Sequence, residues 1–123
     1  MKYLCLAYYN EEAFEALTSE ELEAIEGRAH AQDGALRDSG HLVAHGSLQS
    51  TQSSTCLRPK RGKVAITDGP FVETKEQVGG FFLIEATDLN EAIRVASQHP
   101  AAIMGENVGW GIEVRPVDMF EQF

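Results

Sequence analysis

With 123 residues the chain is the size of one domain, residues 1–123. Its 43% apolar content suffices for a core without a disulfide or metal staple. The formal net charge of −9 sets a field that repels a phosphate backbone, so direct nucleic-acid binding is not expected. No apolar run approaches a bilayer span, Cys5 and Cys56 have no metal-ligand spacing, and the opening residues read as a strand instead of a secretory leader. A soluble, cytoplasmic protein with free buried thiols is expected.

Tyr3–Tyr9 is the first expected strand. Both of its alternating faces are apolar, with Tyr3, Cys5, Ala7 and Tyr9 on one and Leu4, Leu6 and Tyr8 on the other, so both need cover. A helix is expected over Ser19–Ser39. Thr18 and Glu21 have capping-box spacing, Leu22, Ile25, Ala29 and Leu36 share one face, and Gly40 stops it. Beside that stripe runs a polar ridge of Glu26, His30, Asp33 and Arg37. Its pairs four residues apart place acid before base, which accounts for a solvated face. The alternative sets part of the ridge in a cleft between helix and sheet.

Leu42–Gln49 alternates as a strand, with His45 on the face opposite Leu42 and Leu48. The polar run Ser50–Ser54 breaks it. Thr55–Arg58 and Lys63–Thr67 pair as a hairpin around Lys60-Arg61-Gly62. The basic run Arg58 to Lys63 reads as a solvated turn guarding a strand edge, or as a place for one anionic group of a metabolite. Val78–Ala86 is a strand with bulky residues on both faces. Thr87 or Asp88 caps a helix through Gln98, with Leu89, Ala92, Ile93 and Ala96 inward, and Pro100 ends it. Trp110, Ile112 and Val114 alternate in a last strand that Pro116 closes.

Strand, helix, two strands, helix, strand is the split βαβ order: an α+β, ferredoxin-like domain with an inserted β-hairpin. Two helices cover one face of such a sheet. Tyr3–Tyr9 and Val78–Ala86 are apolar on both faces, so the uncovered face needs a partner, most simply a second copy of the chain.

Chemistry concentrates in Thr67–Glu85. Asp68 opens a Gly69-Pro70 turn, where the proline bond is a candidate for cis, and its carboxylate is suited to capping the turn. Glu73, Thr74, Lys75 and Glu76 follow, and Gly79-Gly80 opens the apolar strand. Of four histidines, His41 and His99 sit beside element ends and read as surface residues. His30 and His45 remain as candidate proton carriers beside a carboxylate. There is no metal-ligand spacing, Gly-rich phosphate loop or nucleophile elbow, so no metal or cofactor is expected.

These segments resemble the YCII-related family, in the branch named for its Asp-Gly-Pro-Phe motif. The match is carried by Met1-Lys2-Tyr3-Leu4, Gly40-His41-Leu42, Thr67-Asp68-Gly69-Pro70-Phe71, Glu73-Thr74-Lys75-Glu76, Gly79-Gly80-Phe81-Phe82 and Glu113-Val114-Arg115-Pro116. The resemblance implies a dimeric α/β barrel, in which two ferredoxin-like sheets face each other. Members outside this branch are thought to pair a first-helix histidine with an aspartate near the end of strand one, and a relative removes chloride from a hydroxylated ring. Here His30 approximates that histidine, but Asn10 holds the aspartate position, with Glu11 beside it. An amide is no base, which leaves Asp68 with His45 or His30 as the expected catalytic set and Tyr9, Glu73 and Lys75 as substrate-binding residues. The expected function is lyase- or isomerase-like acid–base chemistry on a small polar metabolite, with aromatic ones included. The branch is also often encoded beside extracytoplasmic-function sigma factors, which implies the alternative of a ligand-binding or regulatory module.

Overall fold

A computed structural model describes the whole chain, Met1–Phe123. Strands β1 (Lys2–Asn10), β2 (Leu42–Ser47), β5 (Glu76–Glu85) and β6 (Gly111–Pro116) form one sheet in the order β2-β5-β1-β6. Every neighbouring pair in it is antiparallel. Strands β3 (Thr55–Lys60) and β4 (Lys63–Asp68) form a two-stranded sheet of their own, the inserted hairpin. Its turn places Arg61 at φ 53° and Gly62 at φ 76°, the paired left-handed residues that match the twist of a two-residue hairpin. The helices are α1 (Glu11–Glu15), α2 (Ser19–Arg37), α3 (Leu89–Ala96) and α4 (Pro100–Ile103). The fold is α+β, and no helix is long and apolar enough to cross a membrane.

The expected capping box starts α2: Thr18 Oγ1 accepts from the Glu21 N–H at 3.1 Å and Glu21 Oε1 accepts from the Thr18 N–H at 3.0 Å. Asp88 caps α3, accepting from the Glu91 N–H at 2.9 Å, while Glu91 Oε1 accepts from the Thr87 N–H at 3.0 Å. Tyr3 and Cys5 of β1 pair with Ile84 and Phe82 of β5 and face the helices. There they pack with Leu36 of α2 and with Ala92, Val95 and Ala96 of α3 into the core. Burial pushes the Cys5 thiol up to about 12, so it is an inert core group. On the other face, Leu4, Leu6 and Leu83 are half-buried and Phe81 is exposed.

Several local details differ from the sequence pattern, among them Leu89 and Ile93 of α3, which are exposed where an inward position was expected. A bulge between Leu42 and Ala44 shifts the register of β2, so Leu42 pairs with Ile84 and packs on the core while His45 pairs with Phe82. The extra residue puts Leu42 and His45 on the same face, where strict alternation had separated them. Pro100 does more than end a helix. It is the first residue of α4, where its missing N–H costs nothing, and the His99 side chain caps that turn. Helix α1, of five residues, is too short for its periodicity to register in the sequence.

Candidate functional site

A cleft of about 730 Å³ opens on the helix-covered side of the sheet, a size typical of small-molecule sites. Tyr9, His45 and Gly79 supply its floor, from β1, β2 and β5. Phe14 of α1, His30 and Asp33 of α2 and His99 at the start of α4 supply its walls. The polar ridge of α2 is therefore divided. Its Asp33–Arg37 ion pair forms at 3.1 Å, as a solvated face would have it, while His30 and Asp33 also border the cleft.

Glu11 anchors one end. Its carboxylate accepts from the Ser50 hydroxyl at 2.6 Å, from the Thr51 N–H at 2.9 Å, from the Thr51 hydroxyl and from the Tyr9 phenol at 3.2 Å. These donors, Ser50 and Thr51 first, hold its pKa down at about 2. The Tyr9 pKa is raised, by burial first and then by the Glu11 and Glu15 carboxylates. The phenol ring meets Phe14 edge-on, with centroids 5.7 Å apart. Gly79 leaves room for that ring: a Cβ there would lie 2.7 Å from Tyr9 Cδ1.

His99 is the residue that the sequence reading placed at the surface. Its ring stacks on Phe82 with centroids 4.8 Å apart and planes 4° from parallel. Nδ1 accepts from the Ala101 N–H at 3.0 Å, so the proton of the neutral ring sits on Nε2. Burial lowers its pKa, with Asp33 opposing and His45 reinforcing the shift. The cleft thus contains an oriented, neutral imidazole. A histidine directly before proline at a helix start was the available signal, since a side chain there accepts from the first free N–H groups.

The six residues expected to form one site do not all gather here. Tyr9, His30 and His45 line the cleft; Asp68, Glu73 and Lys75 are exposed and do not. Asp68 ends β4 opposite Thr55, and its carboxylate makes no hydrogen bond within the chain. The Gly69-Pro70 bond that follows is cis. The turn reaches the cleft indirectly: Gly69 N–H donates to Ser54 O at 2.9 Å, the Ser54 hydroxyl donates to Thr51 O, and Thr51 holds Glu11. The loop after Pro70 is held by the Gln77 amide, which donates to Val72 O at 2.8 Å and Thr74 O at 3.1 Å. No group of three His, Cys, Asp or Glu side chains is arranged to hold a metal ion.

Comparison with known proteins adds the lineage. An uncharacterised protein of Rhizobium meliloti (strain 1021) is 33% identical over 122 residues, which cover 98% of this chain and 95% of that one. The model of the YCII-related domain matches residues 1–118. The chain accordingly belongs to the YCII-related family.

Proposed function

We propose that the chain binds a small polar metabolite in the 730 Å³ cleft and moves a proton on it, in lyase- or isomerase-like chemistry. The supporting observation is that His30, His45, His99 and Asp33 border one cavity with an aromatic wall. In this reading His30 and His45 carry protons and His99 donates a fixed hydrogen bond. Asp68 orients through its turn and the 50–54 loop. Glu73 and Lys75 lie outside the lining and take no part in this reading of the site. We read the β2-β5-β1-β6 order with its inserted hairpin as the ferredoxin-like arrangement. Two copies then face each other through the surface of Leu4, Leu6, Phe81 and Leu83, as a dimeric α/β barrel in the cytoplasm.

A thermal-shift screen of metabolites tests the site, because a ligand that binds the native state raises its melting temperature with occupancy. A ligand that stabilises wild type, stabilises His45→Gln and His30→Gln less, and is turned over by wild type alone supports the enzyme. A ligand whose resonance perturbations fall outside the cleft overturns the site. One feature favours the regulatory alternative: neither His30 nor His45 hydrogen-bonds a carboxylate, so no preassembled acid–base pair is present. A ligand bound and never converted, with an extracytoplasmic-function sigma factor captured in the bound state, selects that alternative.

A further inference from the structure

The charges around the cleft are one-sided. Glu11, Glu15 and Asp33 border it, and no lysine or arginine does. The basic run of the hairpin, Arg58, Lys60, Arg61 and Lys63, lies elsewhere on the molecule, so it supplies no counter-charge to the cavity. Arg37 reaches the cleft's charges only through Asp33, whose Oδ2 it holds at 3.1 Å from outside the lining. Glu15 has no hydrogen-bond or ion-pair partner and stands close enough to Tyr9 to disfavour its phenolate. The remaining titratable groups are the Tyr8 and Tyr9 phenols, whose pKa values are raised, and the imidazoles of His30, His45 and His99, the last held neutral.

The walls are aromatic as well. Tyr9 and Phe14 meet edge to face, and Trp110 borders the same cavity. Flat π faces beside the unpaired Glu15 and an Asp33 that Arg37 engages through Oδ2 alone attract a ring that carries positive charge, by stacking and by cation–π contact. An anionic ligand meets the opposite conditions. It would enter a cleft with three carboxylates and no fixed cation, on a molecule of net charge −9.

We propose that the cleft selects a planar aromatic ligand bearing a cationic, hydrogen-bond-donating group, such as an amidine or a protonated amine, and rejects carboxylate and phosphate ligands. The ring packs against Tyr9, Phe14 and Trp110. The cationic end is held by Glu15 and Asp33, for which an amidinium offers two parallel N–H donors. This inference rests on the small-molecule reading of the cleft and adds the charge class of the ligand.

Three probes with the same phenol ring separate the possibilities: 4-hydroxybenzamidine, 4-hydroxybenzyl alcohol and 4-hydroxybenzoate, titrated at pH 7 into the isotope-labelled full chain. Affinities are read from amide shifts of Tyr9, His30 and Gly79. The amidine is expected to bind about tenfold or more tightly than the benzoate, with the alcohol between them, as Coulomb interaction in a half-open site requires. Glu15→Gln combined with Asp33→Asn should reduce that difference at least about threefold while leaving the alcohol unchanged. Both positions are solvent-accessible, and an unchanged melting temperature confirms that the variant folds. Equal or tighter binding of the benzoate overturns the charge class and leaves the small-molecule cleft intact. A difference that survives in the variant overturns the assignment to Glu15 and Asp33. If none of the probes shifts those three amides, the cleft reading fails and this inference with it.

Discussion

A Cβ added to Gly79 meets the Tyr9 ring, at 2.7 Å from Cδ1 and 2.8 Å from Cε1. One added to Gly69 meets the Ser54 hydroxyl, with Ser54 Cβ at 2.8 Å and the Ser54 carbonyl carbon at 3.3 Å. The two obstacles differ in how they yield. The Tyr9 ring swings away on χ1, whereas at Gly69 the obstacle includes Ser54 Cβ, which moves only with the loop backbone that carries it. Gly79→Ala should change stability by less than about 1 kcal/mol, since the lost freedom of the unfolded glycine offsets part of the crowding. It should still weaken any cleft ligand, because Tyr9 leaves both the wall and Glu11. Gly69→Ala should cost about 1–3 kcal/mol as an overpacked site. Urea unfolding beside ligand titration distinguishes the two; equal stability losses would refute this account of the motif. Glu11 gives a pH test. Its folded carboxyl lies near 2 against an ordinary 4.5, so the unfolded chain takes up the proton first. The stabilisation is complete above about pH 4.5 and is lost as pH falls through about 2. Glu11→Gln should flatten the dependence of the urea midpoint on pH in that window, and a slope identical to wild type would show the network to be energetically idle.

At the scale of elements, α2 carries His30 and Asp33 yet buries only Ile25 and Leu36 of its nineteen residues. Strands β1 and β5, in contrast, pair Tyr3, Cys5, Phe82 and Ile84 on the helix-covered face of the sheet, where all four are buried. Local opening follows buried apolar contact, so amide exchange along the middle of α2 should outpace exchange in β1 and β5. Leu36 is 2% exposed, and Leu36→Ala should cost about 2–5 kcal/mol. If α2 exchanges as slowly as β5, the cleft wall is more firmly fixed than its burial implies. The same contrast explains what the sequence disclosed. Thr18 with Glu21 marked the start of α2, and two-sided apolar runs marked β1 and β5, because capping and alternation are local signals. The ridge of α2 also placed His30 beside a possible cleft. The bulge that turns Leu42 inward depends on a one-residue slip in pairing. The stacking of His99 on Phe82 joins residues 17 apart in the sequence through a helix and a turn. Asp68 was drawn toward the cleft by its motif, but its hairpin forms a separate sheet and reaches Glu11 only through Ser54 and Thr51. Such placements are tertiary, and neither composition nor period encodes them.

At the scale of the whole molecule, two features oppose each other in the proposed dimer. The face of the sheet away from the helices presents Leu4, Leu6, Leu83 and exposed Phe81, which favours association. Each copy carries −9, which disfavours it. The face itself is not uniformly acidic: Glu113 lies across from Leu6 and Arg115 across from Leu4, so both signs border the apolar centre. The repulsion therefore comes from charges spread over the rest of the surface, especially the glutamates of α1 and α2. Such long-range terms are screened by salt, with a Debye length of about 10 Å at 0.1 M and about 3 Å at 1 M, while apolar contact is not weakened by it. Sedimentation equilibrium should give twice the 13.5 kDa chain mass at micromolar concentration, with a dissociation constant that falls as salt rises. Leu83→Lys places a charge in the middle of the face and should yield a folded monomer, since the site is only half-buried in the single chain. A wild-type monomer at tens of micromolar in high salt would remove the dimer. Association that weakens with salt would instead locate the interface on charged surface, most simply between the basic hairpin tip of Lys60 to Lys63 and the acidic helices of another copy.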